Sequence, residues 1–192
     1  MQPNGDKQTL YNQLIAGCLK NNRTAFKELY DLMSPKMFSI CLRYADNYHT
    51  AEDLLQEGFI KVFKYISNYR GDGSFEGWMK RIFVNTAIEH FRKNARMYPI
   101  VSLDTEDVSL NVEHIADTLE LQDLQKLIQK LSPGYRTVFN LYAVEGYSHK
   151  DIGDLLNISE GTSKSQLSRA RYLLQKMILD TELAEQNEAI AR

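Results

Sequence analysis

Ser148-His-Lys-Asp-Ile-Gly-Asp-Leu-Leu-Asn-Ile-Ser-Glu-Gly-Thr-Ser-Lys-Ser-Gln-Leu-Ser-Arg-Ala-Arg-Tyr-Leu-Leu-Gln-Lys-Met-Ile178 reads as a short helix, a tight turn and a longer helix. Ser148 stands as N-cap with Asp151 three residues on, the spacing of a capping box. Ile152, Leu155 and Leu156 give the first helix one apolar face. Asn157-Ile158-Ser159 makes the break, and Ser159 caps the second helix. Leu167, Ala170, Leu173, Leu174, Met177 and Ile178 then recur at helical steps, so one stripe packs inward. Lys164, Arg169, Arg171 and Lys176 lie off that stripe, and no Asp or Glu falls between Gly161 and Ile178. A helix-turn-helix sets its second helix in the major groove, its first residues against base edges and its cations against phosphate. The bland alternative is a helical hairpin with a solvated basic face.

The rest of the chain sets the frame. At 192 residues there is room for two small domains. A 43% hydrophobic content supports real cores, and only 4 Pro and 10 Gly favour a mostly helical chain. No apolar run reaches the roughly 18 residues of a membrane span, and Met1-Gln-Pro-Asn-Gly-Asp lacks the apolar core of a signal peptide. Membrane insertion is therefore not expected. Cys18 and Cys41 have no metal-type spacing and read as reduced core thiols of a cytoplasmic protein. The net charge of −2 is unusual for a protein that binds DNA unaided. It is also unevenly placed: no Lys or Arg lies between Arg96 and Lys126, where Asp104, Glu106, Asp107, Glu113, Asp117, Glu120 and Asp123 fall. Alternating basic and acidic zones point to nucleic acid touched at two places, with another protein supplying affinity.

The expected fold is all-α: two small helical domains joined by an acidic flexible linker, the second containing the helix-turn-helix. The boundaries are residues 1–96, a linker over 97–117, a second domain over 118–180 and an acidic tail over 181–192. In the first domain, Phe26, Leu29, Tyr30, Met33, Met37, Ile40, Cys41 and Tyr44 hold helical spacing, and Pro35 predicts a kink or a division near Ser34. Thr50 is expected to cap the next helix, which buries Leu55, Phe59, Val62, Phe63 and Ile66. Tyr69-Arg-Gly-Asp-Gly-Ser is a loop, and Ser74 starts a helix running to about Asn94. In the second domain Leu121, Leu124, Ile128 and Leu131 form a stripe, and Ser132-Pro133 reads as N-cap and first helical position.

Two further constellations carry chemistry. Asp53, Gln56 and Glu57 share one polar helix face opposite an apolar stripe, which is either plain solvation or a docking surface for a basic partner. Arg81, Asn85, Arg92 and Arg96 share a face of the fourth helix, with Lys80, Lys93, Trp78 and the Gly-rich loop beside them. Aromatics and cations beside a flexible loop suit single-stranded nucleic acid, whose unstacked bases need π faces. Trp78 is read first as packing on Ile82 and second as a base platform.

Taken together, Asp53-Leu-Leu-Gln-Glu-Gly-Phe, Phe75-Glu-Gly-Trp-Met-Lys-Arg-Ile-Phe-Val-Asn-Thr-Ala-Ile-Glu-His-Phe-Arg and Gly161-Thr-Ser-Lys-Ser-Gln-Leu-Ser-Arg-Ala-Arg resemble an extracytoplasmic-function (ECF) sigma factor of bacterial RNA polymerase, in order and separation, over about Ala25 to Ile178. The resemblance implies that Asp53, Gln56 and Glu57 dock on the clamp helices of the largest polymerase subunit, and that the flap region of the second-largest subunit is also a partner. It implies that Arg70, Gly71, Asp72, Gly73 and Ser74, with Trp78, Lys80, Arg81, Asn85 and Arg92, capture the melted −10 strand. It assigns Thr162, Lys164, Ser165, Gln166, Ser168, Arg169 and Arg171 to the −35 element of promoter DNA. The acidic linker would occupy polymerase channels that otherwise hold RNA. An anti-sigma factor is a further implied partner, and the implied location is cytoplasmic, at the nucleoid or sequestered at the membrane by that partner. Ser163, Gln166 and Glu89 depart from the residues frequent in the family, which bears on promoter preference.

Competing readings are a stand-alone helix-turn-helix regulator, which gives the Asp53 face no role, and a sigma mimic, which gives the basic recognition helix none. His49, His90, His114 and His149 show no metal spacing, and no catalytic triad or phosphate loop is present, so neither an enzyme nor a cofactor is expected.

Overall fold

Asn22 and Asn47, rather than any Ser or Thr, start the second and third helices of the first unit. Asn22 Oδ1 accepts from the Thr24 amide at 2.8 Å, and Asn47 Oδ1 accepts from the Thr50 amide at 2.9 Å. The cap expected at Thr50 is therefore Asn47, and Thr50 supplies the amide that is capped. The computed structural model describes residues 3–94 and 121–190, with side chains described for 7–94 and 124–181. The linker over 97–117, Arg96 and His114 lie outside the described residues.

Among the described residues all regular structure is helical. The chain divides into two units, Met1–His90 and Phe91–Arg192, the boundary falling in the last turns of the fourth helix. In the first unit α1 (Pro3–Leu19), α2 (Arg23–Tyr44) and α3 (Tyr48–Tyr65) are followed by a 3-10 turn (Ile66–Asn68) and α4 (Phe75–Asn94). α2 passes through Pro35 without dividing. Proline removes one amide from the ladder, but Leu29 and Met33 before it and Met37, Ile40 and Cys41 after it are all buried, so packing on both sides holds the helix together. Cys18 and Cys41 are free, buried thiols, and burial pushes Cys41 up to about 12.

The start of α4 is tied to α1 and α2 at one carboxylate. Glu76 accepts from the Tyr11 hydroxyl at 2.5 Å, pairs with Lys7 at 2.6 Å and is also paired with Lys36. The Tyr11 ring lies 5.6 Å from Phe75, which is fully buried. Lys36, then Lys7 and Tyr11, hold the Glu76 carboxyl down at about 2. A carboxylate held below its unfolded value contributes stability that is complete above about pH 4.5 and lost as pH falls towards about 2. Wild type should therefore lose stability more steeply than Glu76→Gln between those values, by about 1 kcal/mol given that both lysines are solvated. Acid denaturation followed by circular dichroism would show this, and parallel curves would remove the tie.

The second unit comprises α5 (Leu121–Lys130), α6 (Pro133–Phe139), a π-helical turn (Asn140–Val144), α7 (His149–Leu156) and α8 (Glu160–Ile190). Leu127, Ile128 and Leu131 join Val138, Leu141, Ile152, Leu156, Leu167 and Leu174 in its core. Pro133 takes the first position of α6, and the Ser132 side chain makes no capping bond. Arg136 is 1% exposed within this core. α8 runs unbroken to Ile190, so residues 181–190 continue the backbone of the second helix of the helix-turn-helix.

Candidate nucleic-acid and partner-binding surfaces

The loop before α4 is closed by its own residues. The Tyr69 hydroxyl donates to the Gly73 carbonyl at 2.8 Å. Gly71 at φ +83° and Gly73 at φ +102° occupy the region that glycine enters freely, and a Cβ at either would meet nothing. These glycines are needed for backbone angle, not for space. Ser74 Oγ accepts from the Gly77 amide at 3.0 Å, capping α4. Arg70, Gly71, Asp72, Gly73 and Ser74 are exposed. Three aromatic rings stand beside them: Tyr69 is 5.1 Å from Phe75 and 5.7 Å from Trp78, and Phe75 stacks on Trp78 at 5.6 Å and 17°. Trp78 thus packs on Phe75 while staying half-buried, which leaves part of it to solvent. Tyr69 opens the loop expected to hold a base, and its ring closes that loop against Phe75 and Trp78.

Beyond the loop, Arg81, Asn85 and Arg92 are exposed along one face of α4, and Lys80 is half-buried. Glu89 belongs to the same face, one turn after Asn85. On α3 the apolar side buries Leu54, Leu55, Phe59 and Val62, which turns Asp53 and Gln56 outward and leaves Glu57 half-buried. Glu57 pairs with Lys61 at 3.1 Å, and Lys61 with Glu89 at 2.9 Å. Ile60, one turn after Gln56, is 66% exposed. Its spacing from Gln56 places it on that outward face.

In the second unit the capping box forms as the spacing requires. The Asp151 amide donates to Ser148 Oγ at 3.1 Å and the Ser148 amide to Asp151 Oδ2 at 3.2 Å. Asn157 ends α7 at φ +56°, and Ser159 Oγ accepts from the Thr162 amide at 2.9 Å to start α8. Ser163, Gln166, Leu167, Ala170 and Leu174 are buried. Ser163 Oγ meets His149 Nδ1 at 2.9 Å, and the His149 ring stacks on Tyr142 at 4.5 Å. Burial, then the charge of Lys164, keeps the His149 pKa below its ordinary value.

Gln166 corrects the sequence expectation. It is 3% exposed, with Oε1 3.1 Å from where a Cβ on Gly134 would stand. The inward stripe begins at Ser163, so Gln166, one turn before Ala170, lies on the packed side and not on the outward side. Lys164 is exposed and pairs with Glu160 at 2.7 Å, while Thr162, Ser165, Ser168 and Arg169 are half-buried. The Arg171 guanidinium rests over the Tyr142 ring at 5.6 Å. Arg169 rests over Tyr172 at 5.0 Å, and Tyr172, one turn after Ser168, is an exposed neighbour of that face missed in the sequence.

Family models for sigma-70 region 2 and sigma-70 region 4 match residues 29–97 and 121–174. The ECF RNA polymerase sigma factor SigW of Bacillus subtilis is 32% identical over 173 residues, covering 84% of this chain and 92% of that protein. This chain belongs to the ECF sigma factors. As a sigma factor it acts in transcription initiation. The ECF sigma factor SigE of Mycolicibacterium smegmatis is 34% identical over 155 residues, 78% of this chain and 60% of that one. The sigma factor RpoE of Bartonella quintana, solved with the anti-sigma factor NepR, is 25% identical, covering 80% of this chain and 96% of that one, with a TM-score of 0.47. In this sigma factor the α3 face, the loop and α4 fall within the region 2 match, and the helix-turn-helix as far as Leu174 within the region 4 match. Tyr11 and Lys7 precede both. No helix among the described residues is long and apolar enough to cross a membrane.

Proposed function

We propose that this sigma factor binds core RNA polymerase through Asp53, Gln56 and Glu57, captures the melted −10 strand at the loop and α4, and reads the −35 element with α8. The observation that carries the proposal is the exposed, glycine-angled loop backed by Tyr69, Phe75 and Trp78 and continued by Arg81, Asn85 and Arg92. Such a surface offers π faces to an unpaired base and cations to its phosphates, so strand separation is stabilised by capture of the base. The α3 face meets the clamp helices of the largest subunit, and the second unit meets the flap region. Thr162, Lys164, Ser165, Ser168 and Arg169 contact duplex promoter DNA, while Arg171 acts through its packing on Tyr142. An anti-sigma factor of the kind bound to the Bartonella protein is a further partner.

Arg169→Ala should weaken promoter binding by about 1–2 kcal/mol, roughly tenfold, with the thermal midpoint unchanged. Run-off transcription at limiting holoenzyme would read this as weaker use of discrete start sites. Unchanged use of every site would remove Arg169 from the readout.

A further inference from the structure

Lys61 sits between two carboxylates that the proposed function assigns to different partners. Its ammonium is 3.1 Å from Glu57 Oε1 on its own helix and 2.9 Å from Glu89 Oε2 on α4. Glu57 belongs to the polymerase-facing side of α3. Glu89 lies between Asn85 and Arg92 on the strand-facing side of α4, and its side chain is 51% exposed. A bare carboxylate there would repel the phosphates that Arg81 and Arg92 attract. The Lys61 side chain is only 22% exposed; burial lowers its pKa, the two carboxylates raise it by more, and the ammonium stays charged. One cation shared by two anions leaves a negative charge spread over both.

We propose that Lys61 is a positioning residue for promoter-strand binding, masking Glu89 on the strand-facing side of α4 and masking it more fully once a basic group of core polymerase engages Glu57. The inference rests on the function proposed above. A cation that takes over Glu57 ends that carboxylate's claim on Lys61, and the flexible four-carbon stem lets the ammonium settle on Glu89 without backbone movement. Core binding and strand binding then favour each other by the same factor. A mere bracket between α3 and α4 behaves differently: removing either end of a bracket breaks it, whereas removing the carboxylate under a mask makes the mask unnecessary.

The test uses the full chain, alone and reconstituted with core RNA polymerase. Its probe is a fluorescein-labelled single strand with the non-template sequence of a start site mapped by run-off transcription. Lys61→Met should weaken strand binding by holoenzyme about three- to fivefold at low salt, and less as salt rises. Adding Glu89→Gln should restore wild-type affinity. Glu57→Gln, which leaves the Lys61–Glu89 pair in place, should tighten strand binding by the free chain. Wild-type affinity in Lys61→Met, no rescue by Glu89→Gln, or no change in free Glu57→Gln would each overturn the proposal. If the wild type binds neither core polymerase nor the strand, the proposed function falls and this inference falls with it. If the wild type binds both and the variants match it, the inference alone falls.

Discussion

Replacing Gly58 with valine should lower the stability of the first unit by about 2–3 kcal/mol, a fall of roughly 10–20 °C in its thermal midpoint. A Cβ at Gly58 would stand 2.2, 2.5 and 2.7 Å from three atoms of the Phe83 ring. Phe83 is 1% exposed and meets Phe59 edge-to-face at 5.4 Å, so the ring has nowhere to swing. Alanine would meet the same ring while recovering about 1 kcal/mol of helix propensity. Valine gains less propensity and adds two methyl groups, which is why it is the sharper probe. Relief must come from α3 and α4 moving apart, and that movement also draws Lys61 away from Glu89. A valine variant that melts with wild type would mean the ring is free to yield.

Arg136→Ala should destabilise the second unit by about 3 kcal/mol, read from chemical denaturation. The Arg136 Nη1 donates to the Gln129 carbonyl at 2.9 Å and to the Leu131 carbonyl at 3.4 Å, at the C-terminal end of α5. Those oxygens have no following turn to bond them, and a cation there also complements the helix dipole. Alanine leaves a cavity and orphans buried carbonyls together. Arg136→Met refills the volume and leaves only the second defect, so it should cost less than alanine. Equal costs would show that the guanidinium, and not its bulk, accounts for the whole effect; no cost in either would contradict the role.

The helix-turn-helix was legible in the sequence because its determinants are local. Ser148 and Asp151 are three residues apart, Asn157 takes the left-handed angle that asparagine tolerates, and the apolar stripe repeats within one helix. The loop was legible for the same reason, since Gly71 and Gly73 announce backbone angles by their identity. Features that depended on distant residues were not. Gln166 is polar, so it reads as outward, yet the stripe's phase, fixed by Ser163 and by α6, turns it in. Arg136 reads as a surface residue until α5 is seen to end beside it. The Lys61–Glu89 pair spans two helices and 28 residues, and no helical spacing connects them. Ile60 and Tyr172 are the converse, an apolar and an aromatic residue that face solvent. In each case the direction of a side chain depends on a packing partner that a one-dimensional pattern does not contain.

The most direct measurement is co-elution of the chain with bacterial core RNA polymerase, followed by run-off transcription, comparing wild type with Gln56→Ala/Glu57→Ala. The expected result is that wild type co-elutes and starts transcripts at discrete sites, while the double variant keeps its melting temperature and loses core polymerase. A wild-type chain that binds duplex DNA but not core polymerase would contradict the assignment of the α3 face and leave a stand-alone DNA-binding protein.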